Sequence, residues 1–455
     1  MGTESSSPGK AESTDMSQIF EHAWLITMDP QNDRIRDGAL VVTDGKISWV
    51  GSAADIPEIY NDAERVDCHG KVIYPGFINA HSHAALSVLR GVGDDIGMAP
   101  AYSRDVPQGV FMSEEDIYTF SLLGGLETLK FGCTMIVDNY IHERFAAKAF
   151  DELGMRAVVS ERIHDADLFG IPAGNYTFDM NTGMDLLQKN LDLIEHWKGH
   201  DRISGCIGPH APDTCSDDFL REVRKAADET NQRVVIHLAQ GMREVKQIKA
   251  RSGLSPVEFV NSFGLLDERT IAGHCIYVSE KDRQLIKDSH VHVAHMSGSN
   301  SKGGMTAPIS NYKDAGVNIC LGTDNMSGDM IMVMRLALVT SRMRTQSNSL
   351  YAADVLEMAT MGGARALGME NSIGSLEVGK QADFITMDYD QIHLVPLVDP
   401  VMNLVHNGLS SDIRDVYIGG RKVIENGRSL FIDEKALLKE AQERCLLLWK
   451  KVRGE

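Results

Sequence analysis

The stretch ISGCIGPHAPDTCSDDFLREVRKAADETNQRVVIHLAQG, residues 203–241, decides the fold. Two short apolar runs, one ending in His210 and one in His237, flank the segment SDDFLREVRKAADETN. That segment places apolar residues at i, i+3, i+4 spacing, the period of a helix with one buried face. Strand, helix, strand is therefore the expected order. The runs are too short for helices and carry the β-branched residues that suit a buried strand.

The same unit recurs on both sides. VIYPGFINAH, CTMIVDN, MRAVVSER, TIAGHC, VHVAHM and VNICLGTDN are apolar runs of the same kind, and SEEDIYTFSLLGGLETLKFG is a helical spacer. Eight β-then-α units over residues 76–378 predict an α/β fold, a (β/α)8 TIM-like barrel. In such a barrel chemistry sits at the C-terminal ends of the strands. Those ends are polar here: His81 and His83, Asp138 and Asn139, Arg162 and His164, His210, His237, His274, His295 and Asp324. So many imidazoles at strand ends are costly to bury without a shared purpose.

Outside the barrel, AWLITMDPQNDRIRDGALVVTDGKISWVG near one end and ADFITMDYD with DVYIGGRKVIENGRS near the other alternate apolar and polar residues around D-G, G-G and N-G turns. This is the pattern of half-buried hairpins. The expectation is one small β-sandwich built from both termini, residues 17–75 plus 379–432. Residues 1–16 are expected to be a disordered tail and 433–455 a C-terminal helix.

Composition narrows the function. The 455 residues are 43% hydrophobic, with no run of 18 apolar residues, so no membrane partner is expected. A formal charge of −19 with no clustered basic surface argues against nucleic acid. Seven scattered cysteines, without C-x-x-C spacing, favour a reducing compartment, and the expected location is cytoplasmic.

His81 and His83 lie two apart on a strand, so both side chains face the same way and can grip one ion. Imidazole suits zinc and related divalent metals, and a third nitrogen with a carboxylate completes a site that leaves room for water. His237 and Asp324 are the natural completions.

These motifs resemble the amidohydrolase superfamily, in the branch holding cytosine, guanine and S-adenosylhomocysteine deaminases and the triazine hydrolases. The resemblance rests on PGFINAHSH, GPHAPDTCS, VVIHLAQ, AGHC, VAHMSGSN, LGTDN and GSLEVGKQADF. It implies one divalent metal per chain, zinc first with cobalt, manganese or iron as substitutes, on His81, His83, His237 and Asp324. It also implies His274 near the reacting water, His210 in the pocket, and a homodimer or homotetramer. The fourth run ends in His210 with no lysine to bridge a second metal.

One residue departs from the branch. Its deaminases read H-x-x-E, and the glutamate protonates a ring nitrogen; here the position is Gln240, which has no proton to give. Glu244, four residues on and expected on a helix, is a minor candidate to replace it. The preferred reading is therefore hydrolysis of a non-peptide C–N bond in a small amide, urea or (thio)carbamate, as in the phenylurea and molinate-type hydrolases. In that reading Asp324, His274 and Gln240 are catalytic, and His210, His295, Arg162 and His164 bind a small-molecule substrate. The alternative is an aminohydrolase, a deaminase or dechlorinase, acting on a purine, pterin or triazine-type ring.

Overall fold

The computed structural model describes residues 17–31, 34–95 and 100–455; the expected tail over residues 1–16 lies outside them. Residues 203–241 fold as their pattern predicts, with one difference. The first apolar run is divided into two short strands, Ile203–Gly205 and Gly208–Pro209. The helix Asp217–Thr230 follows, then the strand Val234–Leu238. Ser216 caps that helix by accepting from the Phe219 N–H, and Asp217 and Asp218 sit in its first turn, where the helix dipole favours negative charge. Asn231 ends it in the left-handed region, at φ 51°. Phe219, Leu220, Val223, Ala226 and Ala227 form its buried face.

Parallel strands carry the site. We label them β1 Phe77–His83, β2 Cys133–Tyr140, β3 Arg156–Ile163, β4 Ile203–Gly205 with Gly208–Pro209, β5 Val234–Leu238, β6 Thr270–His274, β7 His292–His295 and β8 Ile319–Leu321. They form two ladders rather than one closed ring. One runs through β4, β3, β2 and β1 to the short strand Asp324–Asn325; the other runs from β5 to β8. A single parallel bridge, Ile207 to Val234, joins β4 to β5. On the opposite side the chain leaves β8 at Leu321, passes Gly322 and Thr323, and pairs Asp324 with Ser82 of β1. Both strand-end residues Asp324 and His83 are thereby brought to the same end of the sheet.

The terminal strands meet in one nine-stranded sheet. Gln18–Ile26 pairs in parallel with Lys71–Pro75, which pairs antiparallel with Phe384–Asp388 from the far end of the chain. Phe20, Phe384 and Tyr417 form its aromatic centre, with ring centroids 4.4 to 4.9 Å apart. At the start of β3, the nearly buried Arg156 pairs with Asp383 at 2.6 Å and ties that sheet to the parallel strands. The last helix, Glu434–Arg453, lies against the helix Glu114–Lys130, with Lys130 and Glu434 paired at 2.7 Å.

Candidate metal centre and active site

At the C-terminal ends of β1 and β5, nitrogen atoms of His81, His83 and His237 all lie within 4.8 Å of one another, and all three residues are buried. Asp324 Oδ1 is 3.5 Å from His83 Nε2. Hydrogen bonds fix the tautomers. His83 Nδ1 donates to the Asn139 carbonyl at 2.5 Å, and His237 Nδ1 donates to the His210 carbonyl at 2.7 Å. A carbonyl only accepts, so each Nδ1 carries the hydrogen and each Nε2 is a bare lone pair. Those two Nε2 atoms are 3.3 Å apart. His81 Nε2 is buried without a partner among the described residues. Burial holds His83 and His237 down to about 3, and pushes His81 well below the usual imidazole range, so all three are neutral at pH 7. Converging unprotonated nitrogens repel unless a cation lies between them, and a carboxylate beside them adds the charge that a divalent ion needs.

The backbone is strained at the same place. His274, Cys275 and Asp324 have φ of 71°, 47° and 66°, and Ala239 has 50°. Each costs a non-glycine residue on the order of 1 kcal/mol, which the surrounding packing must hold in place. The strain turns the strand-end side chains of His274 and Asp324 at the mouth.

A cavity of about 630 Å³ opens over this cluster, and His83, His237, His274 and Asp324 lie in its wall. His274 Nδ1 donates to Asn300 Oδ1 at 2.9 Å. His210 donates from Nδ1 to Thr214 Oγ1 at 3.1 Å. Arg162 is on the wall at 6% exposure, over the Tyr140 ring at 5.0 Å. Gln240 also lines the cavity, and its Nε2 is buried without a hydrogen-bond partner among the described residues.

Two expected substrate contacts are placed elsewhere. His295 is fully buried, off the cavity wall, and neither ring nitrogen has a partner among the described residues. It ends β7, but its side chain enters the interior instead of the mouth. His164 is also off the wall; its Nδ1 donates to the Ala166 carbonyl at 3.1 Å and its ring faces His210 at 6.2 Å. Sequence reasoning left out Asn300, whose position in VAHMSGSN beyond a strand-end histidine was the one available signal. It also left out Arg243, which lines the cavity. Glu244 proves to be a buried wall residue on the helix Met242–Ser252.

Parallel strands with a buried histidine cluster at their C-terminal ends define an α/β architecture whose strand ends could hold a metal ion. The family model described as the amidohydrolase family matches residues 72–423, and the chain belongs to that family. A 5-methylthioadenosine/S-adenosylhomocysteine deaminase of Syntrophobacter fumaroxidans is 35% identical over 419 residues, covering 90% of this chain and 94% of its own. A 5'-deoxyadenosine deaminase of Methanosarcina mazei is 32% identical over 435 residues, covering 93% and 96%. Among solved structures, a zinc-bound adenosine deaminase from Xanthomonas campestris superposes with a TM-score of 0.87 at 27% identity, covering 97% of this chain and 99% of that one. A zinc complex of an atrazine chlorohydrolase from Arthrobacter aurescens gives 0.85 at 22% identity, covering 94% and 100%, a likeness of fold. The protein is a hydrolase acting on carbon–nitrogen bonds, of TIM-barrel type.

Proposed function

We propose that this chain is an aminohydrolase that releases ammonia from the amino group of a purine nucleoside of the adenosine type. The observation that carries the reading is the 35% identity, over nine-tenths of the chain, to a deaminase of such nucleosides. It reverses the preference drawn from Gln240. The cavity volume lies within the range that encloses small organic ligands. We further propose that the two parallel ladders are one (β/α)8 barrel, residues 76–378, beside a sandwich formed by residues 17–75 and 379–432.

In this reading His81, His83, His237 and Asp324 hold one divalent ion, zinc first. Such an ion supplies Lewis acidity and makes water nucleophilic near neutral pH. Asp324 takes a proton from the attacking water and returns it to the departing amine. His274, fixed by Asn300, orients that water. Gln240 donates its unpartnered amide hydrogen to an acceptor on the substrate, and Arg162 and His210 shape the wall.

Gln240 itself favours a second reading, cleavage of a urea, anilide or thiocarbamate, because an acyclic carbonyl needs an oxyanion donor rather than a ring acid. Metal-loaded protein assayed on adenosine-type amines and on acyclic ureas, anilides and thiocarbamates separates the two. Ammonia from the adenosine set is expected. Cleavage confined to the acyclic set replaces the first reading with the second.

A further inference from the structure

Removing an amino group from an aromatic ring requires a proton on the neighbouring ring nitrogen as water adds, and Gln240 cannot give one. Glu244 stands beside it on the cavity wall, 1% exposed. Its two oxygens accept the N–H groups of Ala239 and Gln240, at 2.7 and 2.8 Å, across the turn that follows β5. Each carboxyl oxygen has two lone pairs, so both bonds persist when the acid proton is present. No other hydrogen bond to this carboxyl is formed among the described residues, and the residue lines the cavity.

We propose that Glu244 is the proton carrier of this site, replacing the acid that Gln240 lacks; this rests on the aminohydrolase reading above. The surroundings favour a carboxyl that holds its proton. Burial, with Asp213 as a second buried carboxylate nearby, pushes Glu244 up to about 8. Asp213 is fully buried, and the cation paired with it, Arg243, has its Nε 3.8 Å away. That guanidinium lies over the Tyr102 ring at 3.9 Å.

The proton inventory closes. Glu244 gives its proton to the ring nitrogen while the oxygen of water bonds to the adjacent carbon, and Asp324 receives the first proton of that water. The bond from that carbon to the exocyclic nitrogen then breaks, with Asp324 protonating the departing amine to ammonia. The hydroxyl proton left on the carbon returns to Glu244 as the new carbonyl forms. One water is consumed and one ammonia released, with both acids restored.

The test compares metal-loaded wild type, Glu244→Gln, and Gln240→Glu/Glu244→Gln on adenosine, following ammonia release together with metal content and thermal midpoint. Glu244→Gln should lose ~10² to 10⁴ in kcat with KM changed far less, the range for loss of a general acid. Restoring a carboxyl at position 240 in that background should recover at least tenfold (about one decade) of kcat, which repair of a merely structural brace would not do. A folded, metal-loaded Glu244→Gln with wild-type kcat overturns the proposal. Gln240→Glu alone, with the Glu244 brace intact, decides the case where Glu244→Gln fails to fold. A gain of about tenfold or more over wild type shows that the native site had no acid and overturns it; a fall, or a smaller gain, supports it. Wild type inactive on every heterocyclic amine is the separate failure of the aminohydrolase reading.

Discussion

Hydrogens on the far sides of two imidazoles determine what the near sides can do. Because Asn139 and His210 offer only carbonyl oxygens, His83 and His237 point bare Nε2 atoms at one another. Asp324 lies against that pair and on the cavity wall at once, so in the proposed reading the same carboxylate would serve both a bound ion and the reacting water. Asp324→Asn keeps the shape and an acceptor oxygen but removes the carboxylate on which the proposed proton transfer depends. It should lower kcat by on the order of 10² to 10⁴ while KM moves little. Metal content measured on the same preparation separates proton transfer from loss of the ion; near-normal kcat with metal retained would leave Asp324 a structural role only. The three histidines and Asp324 were legible because H-x-H and strand-end positions encode direction directly. Glu244 was legible as a minor candidate on a helix, and it lies on the helix Met242–Ser252; Asn300 was not, because its place depends on which strand ends it faces, and no spacing rule in one segment states that.

Strands and helices were legible where their period is regular. The apolar face of Asp217–Thr230 and the fully buried strand Val234–Leu238 follow from residues 216–238 alone. The fourth run was not, since glycine and proline interrupt it and Pro209 has no N–H to donate to the ladder. A more exacting constraint lies after β8. A Cβ on Gly322 would stand 2.7 Å from His81 Cβ and 2.8 Å from the His81 carbonyl oxygen, closer than real side chains approach. The absence of a side chain at 322 is what lets the chain cross beside β1 and deliver Asp324 to the cluster. Gly322→Ala must therefore displace β1 or the crossing segment. It should cost about 1 to 3 kcal/mol, the usual range for overpacking a core, and weaken metal retention in parallel. Equilibrium unfolding of the chelated protein, together with metal titration, reads both; an alanine variant with unchanged stability and affinity would show that the segment has slack.

Across the whole molecule, the two ends of the chain meet because Gln18–Ile26, Lys71–Pro75 and Phe384–Asp388 complete one sheet, a contact whose partners no local pattern specifies. The hairpin turns announced the strands but not their order. Burial on this scale also makes the fold sensitive to acid. His295 is held down to about 3 by burial, and its unfolded value is near 6.5. Between those values the unfolded chain binds the proton and the folded chain does not. Stability from this residue is thus fully present above pH 6.5 and is lost as pH falls, by about 1.4 kcal/mol per pH unit. Glu244, pushed the other way, to about 8, contributes with the opposite sign, favouring the folded state at low pH and losing that contribution as pH rises through its folded value. Comparing variants isolates one group from the sum. His295→Asn, measured by urea unfolding of chelated protein between pH 4.5 and 6 (roughly the centre of the window), should flatten the dependence of stability on pH by about one proton relative to wild type. A variant whose stability falls with acid as steeply as wild type would mean that His295 accepts its proton in the fold, and that the interior around β7 is wetter than its burial implies.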